Sequence, residues 1–251
     1  FGASSGAPRL WKATFATGEL TPLTDTDAGA RHPAYAWDGS AIAFASDRYS
    51  TGAHEQVETF HASTRNVAGD VTFHIFVADA DGRRVRQISA GAYQDHRPSC
   101  SPDGQTVVFA SNRDGAIRIW SVPADGSEPP RQLLTEGWGY RPWYAADGQT
   151  LYFYSDMCSD EPGQDRICQM PAGGGPVRRL TADDRGITHG PFADPRGDRL
   201  LVHSTRGGGW GIWELPLDGS AMRQLRPAGF QEASHATRSR NGVLTFDTVL
   251  M

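Results

Sequence analysis

The chain has 251 residues and carries 24 Lys plus Arg against 29 Asp plus Glu, a net charge of −5 with a pI near 5.9. That balance gives no electrostatic reason to expect nucleic acid or an anionic membrane as partner. No apolar run approaches the roughly 18 residues that a membrane-spanning helix needs. The 29 glycines and 16 prolines suit a chain of many tight turns.

The sequence opens at Phe1 on a small-residue stretch, Gly2 to Pro8, which suits a mature exported protein after signal removal or simply a trimmed chain. Arg9 to Gly18 and then Glu19 to Thr24 read as two strands joined by a turn. A recurring unit follows. It begins at His32-Pro-Ala-Tyr-Ala-Trp-Asp-Gly39 and returns at Arg97 to Gly104, Arg141 to Gly148 and Gly190 to Gly197, with a weaker copy ending at Gly242. Each of the first four leads into an apolar strand that runs to a Ser and a polar turn: Ile42 to Arg48, Val107 to Arg113, Leu151 to Asp156 and Leu200 to Arg206. An outer hairpin then repeats at Phe73 to Gly82, Ile117 to Gly126, Arg166 to Gly173 and Gly211 to Gly219.

A period of roughly forty-five residues with several short strands per unit is the signature of a propeller blade. The expected fold is all-β: a five-bladed β-propeller in one domain, residues 1–251, with four antiparallel strands per blade. No outer hairpin follows Gly242, so residues 9–24 should complete the blade begun by residues 235–250. That closure would remove the free sheet edges of an open ring.

The longer first interval comes from an insertion at residues 49–70, in a loop between the second and third strands. If it is helical, His54, Glu58 and His61 share one face. An amphipathic lid is the functional reading, and a solvated loop is the plain one. Cys158 and Cys168 flank a short loop between neighbouring strands and should form a disulfide, with free thiols as the alternative. Cys100 falls within an innermost strand and reads as a small buried apolar residue.

The Ser101 to Gly104 turn, the Phe109-Ala-Ser-Asn-Arg113 run and Ile119-Trp120 resemble the TolB-type, WD-like repeats of bacterial exported proteins. The resemblance covers essentially the whole chain and implies a periplasmic or extracellular location. TolB proper joins an α/β domain to its propeller and binds partner proteins. That α/β domain is not within these residues, so its role is not carried over. Relatives with this repeat include peptidase propellers and, by a weaker resemblance, a metal-dependent oligogalacturonate lyase.

In a four-stranded blade, the loop before the innermost strand and the loop between strands two and three lie at the same end. Thirteen residues before Phe44, Phe109, Phe153 and Val202 stand Arg31, His96, Tyr140 and His189. His235 joins this leading column if the fifth turn is two residues shorter. Beside the column stand His32, Arg97 and Arg141, and Trp138 lies next to Tyr140. All of these should face the pore mouth. The preferred reading is a non-enzymatic module that binds a protein, a peptide or an envelope component there, through Arg31, His32, Arg97, Trp138, Tyr140 and Arg141. Carbohydrate is a second ligand class, and no nucleic-acid partner is expected. The alternative is a metal-dependent carbohydrate-active enzyme, lyase-like, with a divalent metal on His96, His189 and His235 and a base from His32 or Tyr140. Against the metal stands a plainer role, in which each His before Pro only bonds backbone of the next blade. The chain holds no Gly-x-Ser-x-Gly elbow and no phosphate loop. Asp47, Asn112 and Asp156 recur from blade to blade, which argues for turn stabilisation. Trp120 and Trp213 are assigned to packing between blades.

Overall fold

The computed structural model describes residues 9–14, 17–24, 29–48, 72–161, 163–181, 186–194 and 196–225, together with the backbone of 234–238 and 244–247. The insertion at 49–70 lies outside the described residues. The chain divides into two compact units, Phe1–Gln132 and Leu133–Met251.

The first unit begins with the hairpin β1 (Trp11–Thr14) and β2 (Glu19–Pro22). Two antiparallel meanders follow. One comprises β3 (Ala30–Tyr35), β4 (Ala41–Ser46), β5 (His74–Asp79) and β6 (Arg86–Gln87); the other comprises β7 (Asp95–Cys100), β8 (Thr106–Ser111), β9 (Arg118–Pro123) and β10 (Arg131–Gln132). The second unit holds two more. These are β11 (Tyr140–Tyr144) to β14 (Arg178–Arg179) through β12 (Thr150–Ser155) and β13 (Arg166–Pro171), then β15 (Thr188–Ala193), β16 (Arg199–Ser204), β17 (Gly211–Pro216) and β18 (Arg223–Leu225). It ends on the hairpin β19 (Ser234–Arg238) and β20 (Leu244–Asp247). Four blades are therefore complete as four-stranded sheets. A fifth four-stranded sheet is not formed among the described residues, where β1–β2 and β19–β20 are each two-stranded sheets. No helix of the described residues is long and apolar enough to cross a membrane.

The second strand of each blade is apolar without alternation because both of its faces are covered. Ile42, Phe44, Val107, Phe109, Leu151, Phe153, Leu200 and Leu201 are all fully buried. Phe109 joins Ile75, Val77, Ala43 and Val122 in the core that packs β7–β10 against β3–β6. The Asp-Gly units are the turns between strands one and two: Gly39, Gly104, Gly148 and Gly197 donate back to the carbonyls of Ala36, Ser101, Ala145 and Asp194.

The β1–β2 hairpin copies an outer strand pair in detail. Leu23 N donates to Leu10 O at 2.9 Å and Leu10 N to Thr24 Oγ1 at 3.1 Å; in the first complete blade Ile88 N donates to Ile75 O at 2.8 Å and Ile75 N to Ser89 Oγ at 2.8 Å. Leu10 and Leu23 pack on Ile42, Phe44, Phe76 and Ala78. The fit is close at Gly82, where a Cβ would lie 2.2 Å from the Leu23 carbonyl oxygen, so only glycine serves there.

The turns after the second strands show why polar residues recur. Asp47 Oδ1 accepts from Gly29 N at 2.6 Å, Asn112 Oδ1 from Gln94 N at 2.8 Å and Thr205 Oγ1 from Ile187 N at 2.9 Å. Each ties the approach to the innermost strand onto the end of the second. Four residues after Phe44, Phe109 and Val202, the side chains of Arg48, Arg113 and Arg206 lie over the rings of Phe76, Trp120 and Trp213. So Trp120 and Trp213 each serve as the floor of an arginine stack, and Trp120 also packs on the blade core. In the third blade the corresponding residues are Met157 and Cys168. There Cys168 is bonded to Cys158, with Cα atoms 5.9 Å apart, so a covalent link stands where the other blades have an arginine stack. Cys100 is buried, and burial pushes its thiol up to about 11, which suits an inert packing residue.

Candidate functional site

The leading columns are built by one backbone device. In every innermost strand two residues face one on the second strand. Arg31 pairs with Ala45 and Ala34 with Ala43, so His32 and Pro33 form a bulge opposite Phe44. The same shift occurs at Arg97 and Pro98, at Arg141 and Pro142, and at Gly190 and Pro191. The first bulged residue is left-handed each time: φ is 55° at His32, 53° at Arg97, 52° at Arg141 and 61° at Gly190. The proline that follows disfavours the right-handed helical region at that residue. Three of the four carry a side chain, at a strain of about 1–3 kcal/mol each, which the paired strands on either side sustain. The bulge re-aims these side chains at the edge of the sheet.

In the first unit the column residues are Arg31 and His96. The Arg31 guanidinium lies 5.3 Å from the centre of the Phe73 ring. His96 is buried, 5.4 Å from Phe73 and edge-on to His32 at 5.7 Å. Burial holds its imidazole down to about 3, with Arg97 and Arg31 adding to the effect and Asp95 opposing it, so the ring is neutral at pH 7. Asp95 itself is buried and serves the fold. It takes both oxygens to Arg113 Nη2 at 2.8 Å and accepts from Ser89 Oγ at 2.6 Å. Burial pushes its carboxyl up, yet the bonds from His74, Arg113, Ser111 and Ser89 hold it below the usual carboxylate range.

In the second unit the column residues are Tyr140 and His189. His189 Nε2 is 2.6 Å from Asp165 Oδ2. Its ring stacks on Tyr154 at 4.3 Å and 24°, with Trp210 at 5.2 Å and His203 edge-on at 5.4 Å. Tyr140 and Trp138 each meet Tyr154 edge-on, at 5.7 and 6.0 Å. Six rings thus run unbroken from Trp138 to Trp210. Gly190 provides room beside them: a Cβ there would meet the His203 ring at 2.7 Å and Arg141 Nη1 at 3.2 Å. The Arg141 guanidinium is therefore directed toward His203. Asp165 is anchored from behind, since its carbonyl accepts from Arg166 Nη1 at 3.0 Å and from Thr188 N at 3.0 Å, while Arg166 Nη1 also bonds the Gly186 carbonyl at 2.6 Å.

The register corrects one expectation. Ser234 pairs with Asp247 and Thr237 with Thr245, so His235 is the first bulged residue, equivalent to His32, Arg97 and Arg141. The fifth turn is one residue shorter, and Ser234 holds the column position expected for His235. Among the described residues, no three His, Cys, Asp or Glu side chains come together as a metal site. His96 and His189 belong to separate units and have the separate surroundings given above. Sequence reasoning missed Asp165, Tyr154, His203, Trp210 and Phe73. Two of these were findable. The residue paired across from each column position follows the reference apolar residue directly, and it reads Ala45, Ala110, Tyr154 and His203.

No family model matches the chain. It is similar to a putative TolB from Agrobacterium tumefaciens, at 18% identity and a TM-score of 0.71 over 93% of this chain and 75% of that one. It is also similar to TolB from Acinetobacter baumannii, at 18% identity and 0.67 over 96% of this chain and 57% of that one. The chain has the β-propeller fold of these structures. An oligogalacturonate lyase solved with manganese aligns less well with this propeller, at 20% identity and a TM-score of 0.53, covering 83% of this chain and 54% of that one. By sequence, the chain is 29% identical over 140 residues to an uncharacterised Agrobacterium fabrum protein, covering 52% of this chain and 47% of the relative. It is 32% identical over 123 residues to a tricorn protease homologue of Streptomyces coelicolor, covering 47% of this chain and 11% of that protein. The propeller thus spans about half of the first curated relative and about a tenth of the second.

Proposed function

We propose that this propeller is an exported binding module that takes up a protein, peptide or envelope component through the leading columns of its blades, on the face expected at the pore. The observation that carries this reading is the repeated left-handed bulge. Strain retained at equivalent positions, with His32, Arg97 and Arg141 on it, displays reactive side chains at a sheet edge without being needed for pairing. Arg97 and Arg141 would each fork onto carboxylates of the partner, with Arg31 and His32 contributing from the first unit and Tyr140 packed behind Arg141 in the second. The disulfide supports residence in an oxidising compartment, and the resemblance to TolB supports the periplasm.

The ring in this reading has five blades, residues 9–24 completing the sheet that residues 235–250 begin. The match of Leu10, Leu23 and Thr24 to Ile75, Ile88 and Ser89 supports it. Removing residues 1–24 should then expose a sheet edge and cost the chain its soluble fold, and full thermal stability in the truncated protein would refute the closure. The binding reading is tested with a photo-crosslinker at Arg97 or Arg141, against one at Gly104 on the Asp-Gly turns, in cells that export the protein. Partner adducts confined to the first pair are expected. Adducts at Gly104 alone would overturn the reading.

A further inference from the structure

We infer that the edge of the third blade around Trp138 is a docking site for an arginine or lysine side chain of a basic peptide segment, which builds on the reading that this edge takes up a peptide. Two loops meet there. Residues 135–139 precede β11 and residues 156–165 follow β12, and the pairing of Tyr140 with Tyr154 puts both at the same end of the sheet. They touch: a Cβ on Gly137 would lie 3.2 Å from Met157 Sδ. Trp138 is half-buried, held edge-on by Tyr154, and Met157 beside it is 38% exposed. The result is an indole and a thioether on the surface, fixed from below by buried rings.

The charge carried by the two loops has one sign. The two loops contain Glu136, Asp156, Asp160, Glu161 and Asp165 and no lysine or arginine. Glu136 and Glu161 are exposed, and neither they nor Asp156 makes an ion pair among the described residues. Two of the five carboxylates are already engaged, Asp160 with Arg179 at 3.1 Å and Asp165 with His189 at 2.6 Å, which leaves Glu136, Asp156 and Glu161 for a ligand. Other nearby arginines are committed elsewhere: Arg206 lies over Trp213, Arg166 is buried on backbone carbonyls, and Arg141 is directed to His203 beside Gly190. A π face rimmed by carboxylates attracts a cation through the ring quadrupole and the surrounding field together. An apolar or anionic group would gain only one of these or neither. The chemistry is opposite to that of the first unit, where Arg31 and Arg97 line the equivalent edge.

The test titrates the full chain, by tryptophan fluorescence and calorimetry, with a short peptide of alternating arginine and glycine. A glutamate–glycine peptide and a neutral oligosaccharide serve as comparators. Saturable binding of the cationic peptide alone is expected, weakening as salt rises. Trp138→Ala should weaken it about tenfold, and Trp138→Phe should recover part of the loss, since the weaker ring still presents a face. Glu136→Gln should weaken it a few-fold and flatten the salt dependence, in a variant that leaves every packed ring in place. No binding of the cationic peptide, equal binding of either comparator, or unchanged affinity in both Trp138→Ala and Glu136→Gln would overturn the proposal. Trp138-dependent peptide binding without partner adducts at Arg97 or Arg141 would sink the pore-face reading and leave this site standing. The reverse pattern would sink this site alone.

Discussion

His96 and His189 hold the same strand position, on the same bulged backbone, and have opposite surroundings. Across from His96 stands Ala110, which leaves the imidazole space to sink against Phe73, away from water and near Arg31 and Arg97. Across from His189 stands His203, and the neighbouring blade offers Tyr154, so the ring is held out at the edge and bonded to Asp165. Equivalent backbone thus yields a buried neutral packing residue in one unit and a half-buried, carboxylate-bound one in the other. The size of the cross-strand partner decides which. Repeats constrain where side chains start, and the neighbours determine their chemistry.

The comparison breaks most sharply at Tyr154. Tyr154→Ala removes the ring on which His189, Tyr140 and Trp138 all rest, and should cost about 3–5 kcal/mol in denaturant unfolding. A loss below about 1 kcal/mol would show that the second unit does not depend on its ring chain as described.

Opening the Cys158–Cys168 link tests the same unit from its rim, because Asp165 sits in the loop that the bond closes. Cys158→Ser with Cys168→Ser should cost about 2–3 kcal/mol by the chain-entropy argument. The arginine-stacked blades of the first unit should be unaffected by reductant, which hydrogen exchange resolved by segment can check.

The His96 side of the comparison is sharpened by pH. Its folded pKa, about 3, lies below the unfolded value near 6.5, so the unfolded chain binds the extra proton in that interval. Its contribution is therefore fully present above pH 6.5 and is lost as pH falls toward 3. Stability should drop by about 2 kcal/mol from this group between pH 6.5 and pH 5. His96→Phe should remove that part of the acid sensitivity, and an unchanged pH slope would show that His96 is hydrated in solution.

The smallest effect is expected at the arginine stacks. Arg206→Ala should lose about 0.5–1 kcal/mol, with Trp213 otherwise in place.

Much of the fold was legible because its signals are local. Turn glycines at Gly39, Gly104, Gly148 and Gly197 require positive φ, and unbroken apolar runs mark strands covered on both faces. The N-terminal hairpin β1–β2 was visible for the same reason, and the flanking Leu10, Leu23 and Thr24 repeat the bonds of Ile75, Ile88 and Ser89. The link between Cys158 and Cys168 followed from their places on neighbouring strands. The candidate site was only half legible. The columns could be counted along the chain, but counting missed the one-residue difference at the fifth turn and so put His235 one position out of register. Nor could it show that Asp165, within the cysteine loop, reaches His189, or that Arg141 fills the space left by Gly190. Sequence alone determined the repeat, its turns and which residues stand at the leading edges of the four complete blades, since these depend on neighbours along the chain. Only the tertiary structure decided which histidine is buried and neutral and which is bonded to a carboxylate, because solvation and charge depend on residues brought together from separate strands.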